Sequence, residues 1–400
     1  MAKAIVFCAD GTWDGPGQAG ADTAMAHTTN VFKLFFNLDG RDTPETALLA
    51  NERERVLRNA AGVELQWAKY IHGVGDSNNA LVKLLGGTLG AGLIARIVRG
   101  FTFISRHYVP GDSIIIVGFS RGAYTARALA GLICKKGLLD ARRTDLTNKQ
   151  RAYRMGSAVW YAYHRAAVQQ KTDLLGELEN FIGDLPGFLL QPPPDDVLVP
   201  ADIEAVAVWD TVGSLGIPDF TMKSARIDAF QFADTVLSPK VRHGFHAVSV
   251  DELRSDFTPT LWNADTPRIK QVLFPGSHSD VGGGNPNTDT ESGLSDCALA
   301  WMMAQLDPLV KFARPALHPP APLPTGTAHE PWLVAPWNML IRSPRVFPLP
   351  PGLTLSRCLL ARRTAGPVLA APNTRLSAYN PENLAGYLNG DQPRAGVAVE

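Results

Sequence analysis

The sequence of 400 residues has little cysteine, little charge of either sign and no long apolar run. Its four cysteines, Cys8, Cys134, Cys297 and Cys358, stand far apart, with no CxxC pair and no metal-ligand spacing. Cys8 and Cys134 lie inside apolar runs and read as buried free thiols. No metal site and no cofactor is expected. Lysine and arginine together number 38, as do aspartate and glutamate, so the formal charge is zero. That balance argues against a nucleic-acid binder, which displays a basic excess. The longest apolar candidate, around residues 81–98, is interrupted by Lys83, Arg96 and four glycines. It falls short of the roughly 20 apolar residues that span a bilayer. Met1-Ala2-Lys3-Ala4 leads straight into a strand-like run without a signal-peptide pattern. The expectation is a cytoplasmic protein without a transmembrane segment, with export by a route that needs no N-terminal signal left open.

What is present is a core. Hydrophobic residues make up 45% of the chain, too many for disorder at zero net charge. Short β-branched runs recur at Ala4–Cys8, Leu65–Ile71, Ser113–Val117, Ala205–Trp209, Phe245–Val250 and Gln271–Phe274. Ile114-Ile115-Ile116-Val117 is apolar on both faces, which suits the centre of a parallel sheet covered by helices. Helical spacing over 80–106, 121–136 and 296–306 alternates with these runs. The alternation predicts a doubly wound α/β sheet, with ligands gathered where the strands end. Residues 141–200 interrupt it as a helix-prone insertion ending in Gln191-Pro192-Pro193-Pro194, a possible lid. The catalytic domain is expected over 1–310, with 311–400 as a proline-rich extension packing on the core.

The most informative segment is Gly118-Phe119-Ser120-Arg121-Gly122, which follows an apolar strand and opens a helix rich in small residues. A serine on such a turn is a nucleophile elbow, lifted above the sheet beside a helix N-terminus that favours developing negative charge. A serine hydroxyl needs a base, and the base an orienting acid. Of nine histidines, His278, inside Gly276-Ser277-His278-Ser279-Asp280-Val281-Gly282-Gly283-Gly284, lies downstream in glycine-rich surroundings after a strand. For the acid, spacing leaves Asp210 and Asp251 nearly equal, since each closes a strand. Asp280 reads as a supporting or cation-binding carboxylate, although one carboxylate is far from the six to eight oxygens calcium takes. The oxyanion is expected to meet the backbone N–H of Arg121 and one from the loop Asp10-Gly11-Thr12-Trp13. Gly11 or Thr12 would supply the amide, and Trp13 and Phe119 would wall an acyl pocket.

These residues carry a resemblance. Phe7-Cys8-Ala9-Asp10-Gly11-Thr12-Trp13, Thr29-Asn30-Val31, the elbow, Trp209-Asp210-Thr211-Val212-Gly213 and the His278 block occur in the order found in DUF2235. The chain thus resembles that α/β-hydrolase family, whose best-known members are phospholipase effectors of type VI secretion. The resemblance implies an α/β-hydrolase fold and a Ser-Asp-His triad acting on ester bonds, notably phospholipid acyl esters. It also implies that the acid lies in the Trp-Asp-Thr-Val-Gly block, which favours Asp210 over Asp251.

The leading expectation is a serine hydrolase of carboxylic, lipid-type esters, with a small-molecule or lipid ester as partner and at most transient membrane contact. The alternative is a catalytically inert hydrolase-like scaffold that binds a protein partner. A phosphatase reading of Asp10-Gly11-Thr12 fails because Cys8 stands where the nucleophilic aspartate belongs. Gly90-Ala91-Gly92-Leu93-Ile94-Ala95 matches a dinucleotide pattern but has no strand before it, and reads as helix packing.

Overall fold

Successive residues of a strand face opposite sides of its sheet, and the first strand, Ala4–Ala9 (β1), shows where both layers lie. Ile5 and Phe7 join one buried cluster, and Val6 and Cys8 join another. A computed structural model describes residues 2–11, 27–44, 52–73, 90–168, 193–212, 235–263, 267–288, 290–335, 337–350, 352–373 and 376–400.

The remaining strands of the main sheet are Arg41–Asp42 (β2), Glu52–Arg58 (β3), Glu64–Ile71 (β4), Ser113–Phe119 (β5), Ile203–Trp209 (β6), Val241–Ser249 (β7), Ile269–Phe274 (β8) and Thr354–Leu355 (β9). They lie in the order β9-β8-β7-β6-β5-β1-β4-β3-β2. Pairings from β9 to β4 are all parallel, and β3 and β2 add an antiparallel edge. The fold is therefore mixed α/β with a large, mostly parallel central sheet. β1 is flanked by β4 on one side and β5 on the other, so the chain reverses direction across the sheet there. Such a switch point is where ligands bind in open α/β sheets.

The helices are Asn30–Asn37 (α1), Gly90–His107 (α2), Arg121–Lys136 (α3), Lys149–Val168 (α4), His278–Gly282 (α5), Gly293–Leu306 (α6) and Arg357–Thr364 (α7). Phe101 of α2, Leu129 of α3 and Trp160 of α4 cover one face together with Ile5, Ile114 and Val206. Phe32 of α1 and Met302 of α6 cover the other with Val6, Ile115 and Ala205. Helix α4 belongs to the 141–200 insertion, and its Val159 and Trp160 are buried in the first cluster. This part of the insertion packs as core; residues 169–192 lie outside the described residues.

The C-terminal segment is built into the sheet. β9 extends it by pairing with β8, and a third apolar cluster joins Val248, Val250 and Leu273 to Phe347, Leu359, Leu384 and Tyr387.

Candidate active site

β5 ends at Phe119 and α3 begins at Arg121, so Ser120 alone makes the turn between them. Its backbone sits at φ 56° and ψ −123°, a conformation that costs a side-chain-bearing residue about 1–3 kcal/mol. Neighbouring backbone holds it there: the Ser120 N–H donates to the Trp209 carbonyl at 3.2 Å, and Tyr124 N–H donates to the Ser120 carbonyl at 3.2 Å. The close approach explains both flanking glycines. A Cβ on Gly118 would lie 2.4 Å from the Gly122 carbonyl oxygen, and one on Gly122 would lie 2.1 Å from that of Ala9.

Among the described residues, two besides glycine have positive φ, and the second is Asp210 at 35°. It follows β6, is fully buried, and accepts the Ser249 N–H at 2.9 Å on Oδ1. Arg345 grips the same carboxylate with both terminal nitrogens, at 2.6 Å to Oδ1 and 2.9 Å to Oδ2. Burial pushes the Asp210 carboxyl upward, but the Arg345 charge and the His278 contact outweigh it and hold the group well below the usual carboxylate range.

His278 opens α5. Its Nδ1 lies 2.5 Å from Asp210 Oδ2, and its backbone N–H donates to Glu252 Oε2 at 3.2 Å. An ionised carboxylate only accepts, so Nδ1 carries the proton and Nε2 keeps the lone pair. Nε2 is buried and makes no hydrogen bond to any described residue. The ring rests 4.6 Å from Phe119 and meets Phe257 edge-on at 5.0 Å. Burial lowers the imidazole pKa below its ordinary value despite the opposing pull of Asp210. The imidazole is thus neutral and oriented, with one lone pair available.

Asp251 has a different place. It accepts the Gly276 N–H at 2.6 Å and the Tyr379 hydroxyl at 3.1 Å, and burial raises its carboxyl to about 7. Asp280 closes its own helical turn by accepting the Ser277 N–H at 2.9 Å, and lies 2.5 Å from His329 Nδ1. The second His329 nitrogen lies 2.7 Å from Glu291. No group of three or more His, Cys, Asp or Glu among the described residues has a metal-binding arrangement.

Gly11 and Phe119 both make contacts within the protein. The Gly11 amide donates to Asp10 Oδ1 at 2.7 Å. Asp10 is itself held by Thr29 at 2.8 Å and Tyr70 at 2.6 Å, with burial raising its carboxyl to about 7. Phe119 is only 1% exposed and supports the His278 ring. Thr12 and Trp13 lie outside the described residues. The Arg121 amide stands at the first position of α3, directly after Ser120.

Sequence reasoning passed over Arg345, Glu252, Arg254 and Phe257. Glu252 is fully buried and takes a forked contact from Arg254, both nitrogens at 2.8 Å. Its position directly after Asp251 was the one available signal. Arg345 sits in a proline-rich run with no pattern pointing toward the site. A cavity of about 300 Å³ lined by Asp112, Asp202, Glu204 and Arg242 lies at the opposite, amino-terminal ends of β5 and β6. It contains none of these groups.

The chain is 26% identical over 255 residues to an uncharacterized protein of Saccharomyces cerevisiae, YEL023C, covering 64% of this chain and 32% of that protein. It therefore spans about a third of that relative. Among solved structures, an uncharacterized protein from Pseudomonas aeruginosa aligns at TM-score 0.38 and 17% identity, over 76% of this chain and 45% of that one. The Tle1 effector bound to the VgrG spike of the type 6 secretion system aligns at 0.35 and 16%, over 72% and 52%. The family profile of the T6SS phospholipase effector Tle1-like catalytic domain matches residues 3–305, from β1 to the last turn of α6. On that match, which includes Ser120, Asp210 and His278, the chain belongs to the Tle1-like phospholipase effector catalytic-domain family.

Proposed function

We propose that the protein is a serine hydrolase of lipid-type carboxylic esters, with Ser120 as nucleophile, His278 as base and Asp210 as the orienting acid. The observation that carries this reading is the His278 imidazole, clamped at Nδ1 by Asp210 with Nε2 buried and unbonded beside the elbow. His278 Nε2 takes the Ser120 proton as Oγ attacks the acyl carbonyl, and the oxyanion forms against the Arg121 amide at the start of α3. Collapse breaks the ester bond, and His278 returns the proton to the departing alcohol. Water then enters by the same route in reverse and releases the acid.

The family supports a lipid ester, and so does the surface beside Arg345. Met339, Ile341, Val346 and Leu349 are all large, apolar and more than two-thirds exposed within eleven residues of chain, and apolar exposure of this kind suits contact with lipid. No described helix is long and apolar enough to cross a membrane, so such contact is with the surface. The test is labelling by a fluorophosphonate together with hydrolysis of short- and long-chain p-nitrophenyl esters. Wild type reacts at Ser120 and turns over, and Ser120→Ala does neither. A mutant that keeps full activity refutes the assignment, and an unlabelled, inactive wild type points to a protein-binding scaffold.

A further inference from the structure

The region matched to the catalytic-domain family ends at residue 305, yet the Asp210 carboxylate is held from residue 345. Arg345 is 6% exposed and makes four polar contacts. Its Nη1 donates to Asp210 Oδ1 at 2.6 Å and to the Ser249 carbonyl at 2.7 Å; its Nη2 donates to Asp210 Oδ2 at 2.9 Å and to the Phe257 carbonyl at 2.5 Å. Asp210 Oδ2 is also the oxygen that meets His278 Nδ1. One oxygen thus lies between a permanent cation and the imidazole that must become a cation during turnover.

We propose that Arg345, supplied by the C-terminal segment, is a positioning residue that fixes the Asp210 carboxylate and partly cancels its charge at His278. The proposal deepens the serine-hydrolase reading and rests on it. Fixation follows from the fork: two parallel N–H donors define the carboxylate plane, so Oδ2 cannot rotate away from Nδ1. The Ser249 and Phe257 carbonyls anchor the guanidinium in turn, and Phe257 also packs on the His278 ring. Charge cancellation follows from Coulomb's law in a buried site, where an opposite charge within about 4–6 Å moves a titrating group by about 1–3 pH units. A lone Asp210 would stabilise imidazolium strongly, and an Arg345-paired one stabilises it less. The other charged groups facing His278 are Glu252 and Arg254, which pair with each other. Those facing Asp210 are Arg345, His278 and the neutral His246, whose Nε2 accepts the Thr211 N–H at 3.1 Å and whose pKa burial lowers to about 3. Arg345 is therefore the cation that contacts the Asp210 carboxylate directly, and its charge also bears on Glu252.

Arg345→Gln and Arg345→Lys separate the two effects. Two readouts are taken on the full chain: the acidic limb of the kcat/KM–pH profile on a soluble ester, and the His278 titration by imidazole NMR. In Arg345→Gln, the acidic limb and the His278 titration both move up by about one pH unit or more, and kcat falls at least tenfold. In Arg345→Lys, which keeps the charge but loses the fork, the limb stays and kcat still falls about tenfold. A purely structural role lowers stability and leaves both pH readouts and the kcat of the folded fraction unchanged, and that result overturns the proposal. If Arg345→Gln does not fold, an Arg345→Lys enzyme with kcat within twofold of wild type overturns it as well. The NMR titration needs no turnover, so a failed Ser120 assignment stays distinguishable from a failed role for Arg345.

Discussion

Helix α3 contains a matched pair of glycines for which the same substitution should give opposite results. A Cβ on Gly122 would meet three backbone atoms: the Ala9 carbonyl oxygen at 2.1 Å, that of Asp10 at 2.5 Å and the Ala9 carbonyl carbon at 2.6 Å. None of these can yield cheaply. Ala9 is registered between Ile71 and Gly118 in the sheet, and Asp10 N–H is tied to the Ile71 carbonyl at 3.0 Å. Relief requires α3 to lift off β1, which drags Ser120 out of its turn. Overpacking of side chains costs about 1–3 kcal/mol and backbone clashes more, so Gly122→Ala should destabilise by at least about 3 kcal/mol. A Cβ on Gly131, nine residues along the same helix, meets only the far end of the Tyr163 side chain, at 2.8 Å. Removing a mid-helix glycine gains up to about 1 kcal/mol, which offsets the Tyr163 adjustment and leaves Gly131→Ala within about 1 kcal/mol of wild type. Urea denaturation with a common slope measures both, and ester hydrolysis by the folded fraction adds the functional arm. If Gly122→Ala unfolds within 1 kcal/mol of wild type and keeps its turnover, the close helix–strand approach is not what holds the elbow.

Other consequences can be measured in parallel. Asp210→Asn should lower kcat by about 10³–10⁴-fold, because an amide no longer selects the Nδ1–H tautomer; it should also cost about 3–5 kcal/mol by leaving Arg345 buried without its anion. Equal activity in the two proteins would remove Asp210 from the mechanism. The Asp210 carboxyl is lower in the folded than in the unfolded chain, so its stabilisation is complete above the unfolded value near pH 4 and fades as pH falls through the folded one. Wild type should therefore lose its stability advantage over Asp210→Asn on acidification, as read by unfolding free energies across pH 2–6. For His329 the sign is opposite. Burial lowers its pKa, but Asp280 and Glu291 raise it to a net value above the ordinary one. Its contribution is present below the unfolded value and disappears as pH rises through the folded one, so wild type and His329→Gln should converge in stability on the alkaline side. Finally, Ile341→Asp with Val346→Asp should slow hydrolysis of long-chain esters in phospholipid vesicles at least tenfold and leave a water-soluble ester unaffected; equal loss on both substrates would count against the apolar surface as a lipid contact.

What could be read in the sequence divides along a physical line. Central strands such as Ile114-Ile115-Ile116-Val117 announce themselves because both faces are buried and the composition has no other use. The strand Glu52–Arg58 was missed because it reads Glu-Arg-Glu-Arg, a solvent pattern. In the fold Glu52 and Glu54 are buried, and both pair with Lys69 of β4, at 2.5 and 2.8 Å. A cross-strand ion cluster cannot be recognised in one strand alone. Ser120 and His278 were legible because glycines mark the backbone turns that present them. Asp210 and Asp251 were not separable by spacing, since both close a strand; what separates them is contact, because His278 Nδ1 lies 2.5 Å from Asp210 while Asp251 accepts from Gly276 and Tyr379. Arg345 was invisible for a different reason. Its partner is 135 residues away, and a lone arginine between prolines has no periodicity to betray its direction.

Among the described residues, the two non-glycine residues with positive φ are the nucleophile candidate and its proposed acid, and that coincidence bears on how the site is built. Both follow adjacent parallel strands, β5 and β6, in the register Phe119↔Trp209. The Trp209 carbonyl binds the Ser120 amide, and the next residue is Asp210 itself. Each strained residue is thus braced by the next strand along the sheet: Ser120 by β6, and Asp210, through its N–H to the Ala247 carbonyl at 2.8 Å, by β7. Strain of about 1–3 kcal/mol per residue persists only where surrounding structure over-determines the backbone. Here the bracing runs along three strands of the sheet and then out to Arg345, which joins the carboxylate to the Ser249 carbonyl at the end of β7. The C-terminal segment therefore bears on the same strained turns as the family-matched region. A chain truncated after residue 310 should lose this last brace, and its His278 titration should move in the direction expected of Arg345→Gln even where the remaining sheet stays folded.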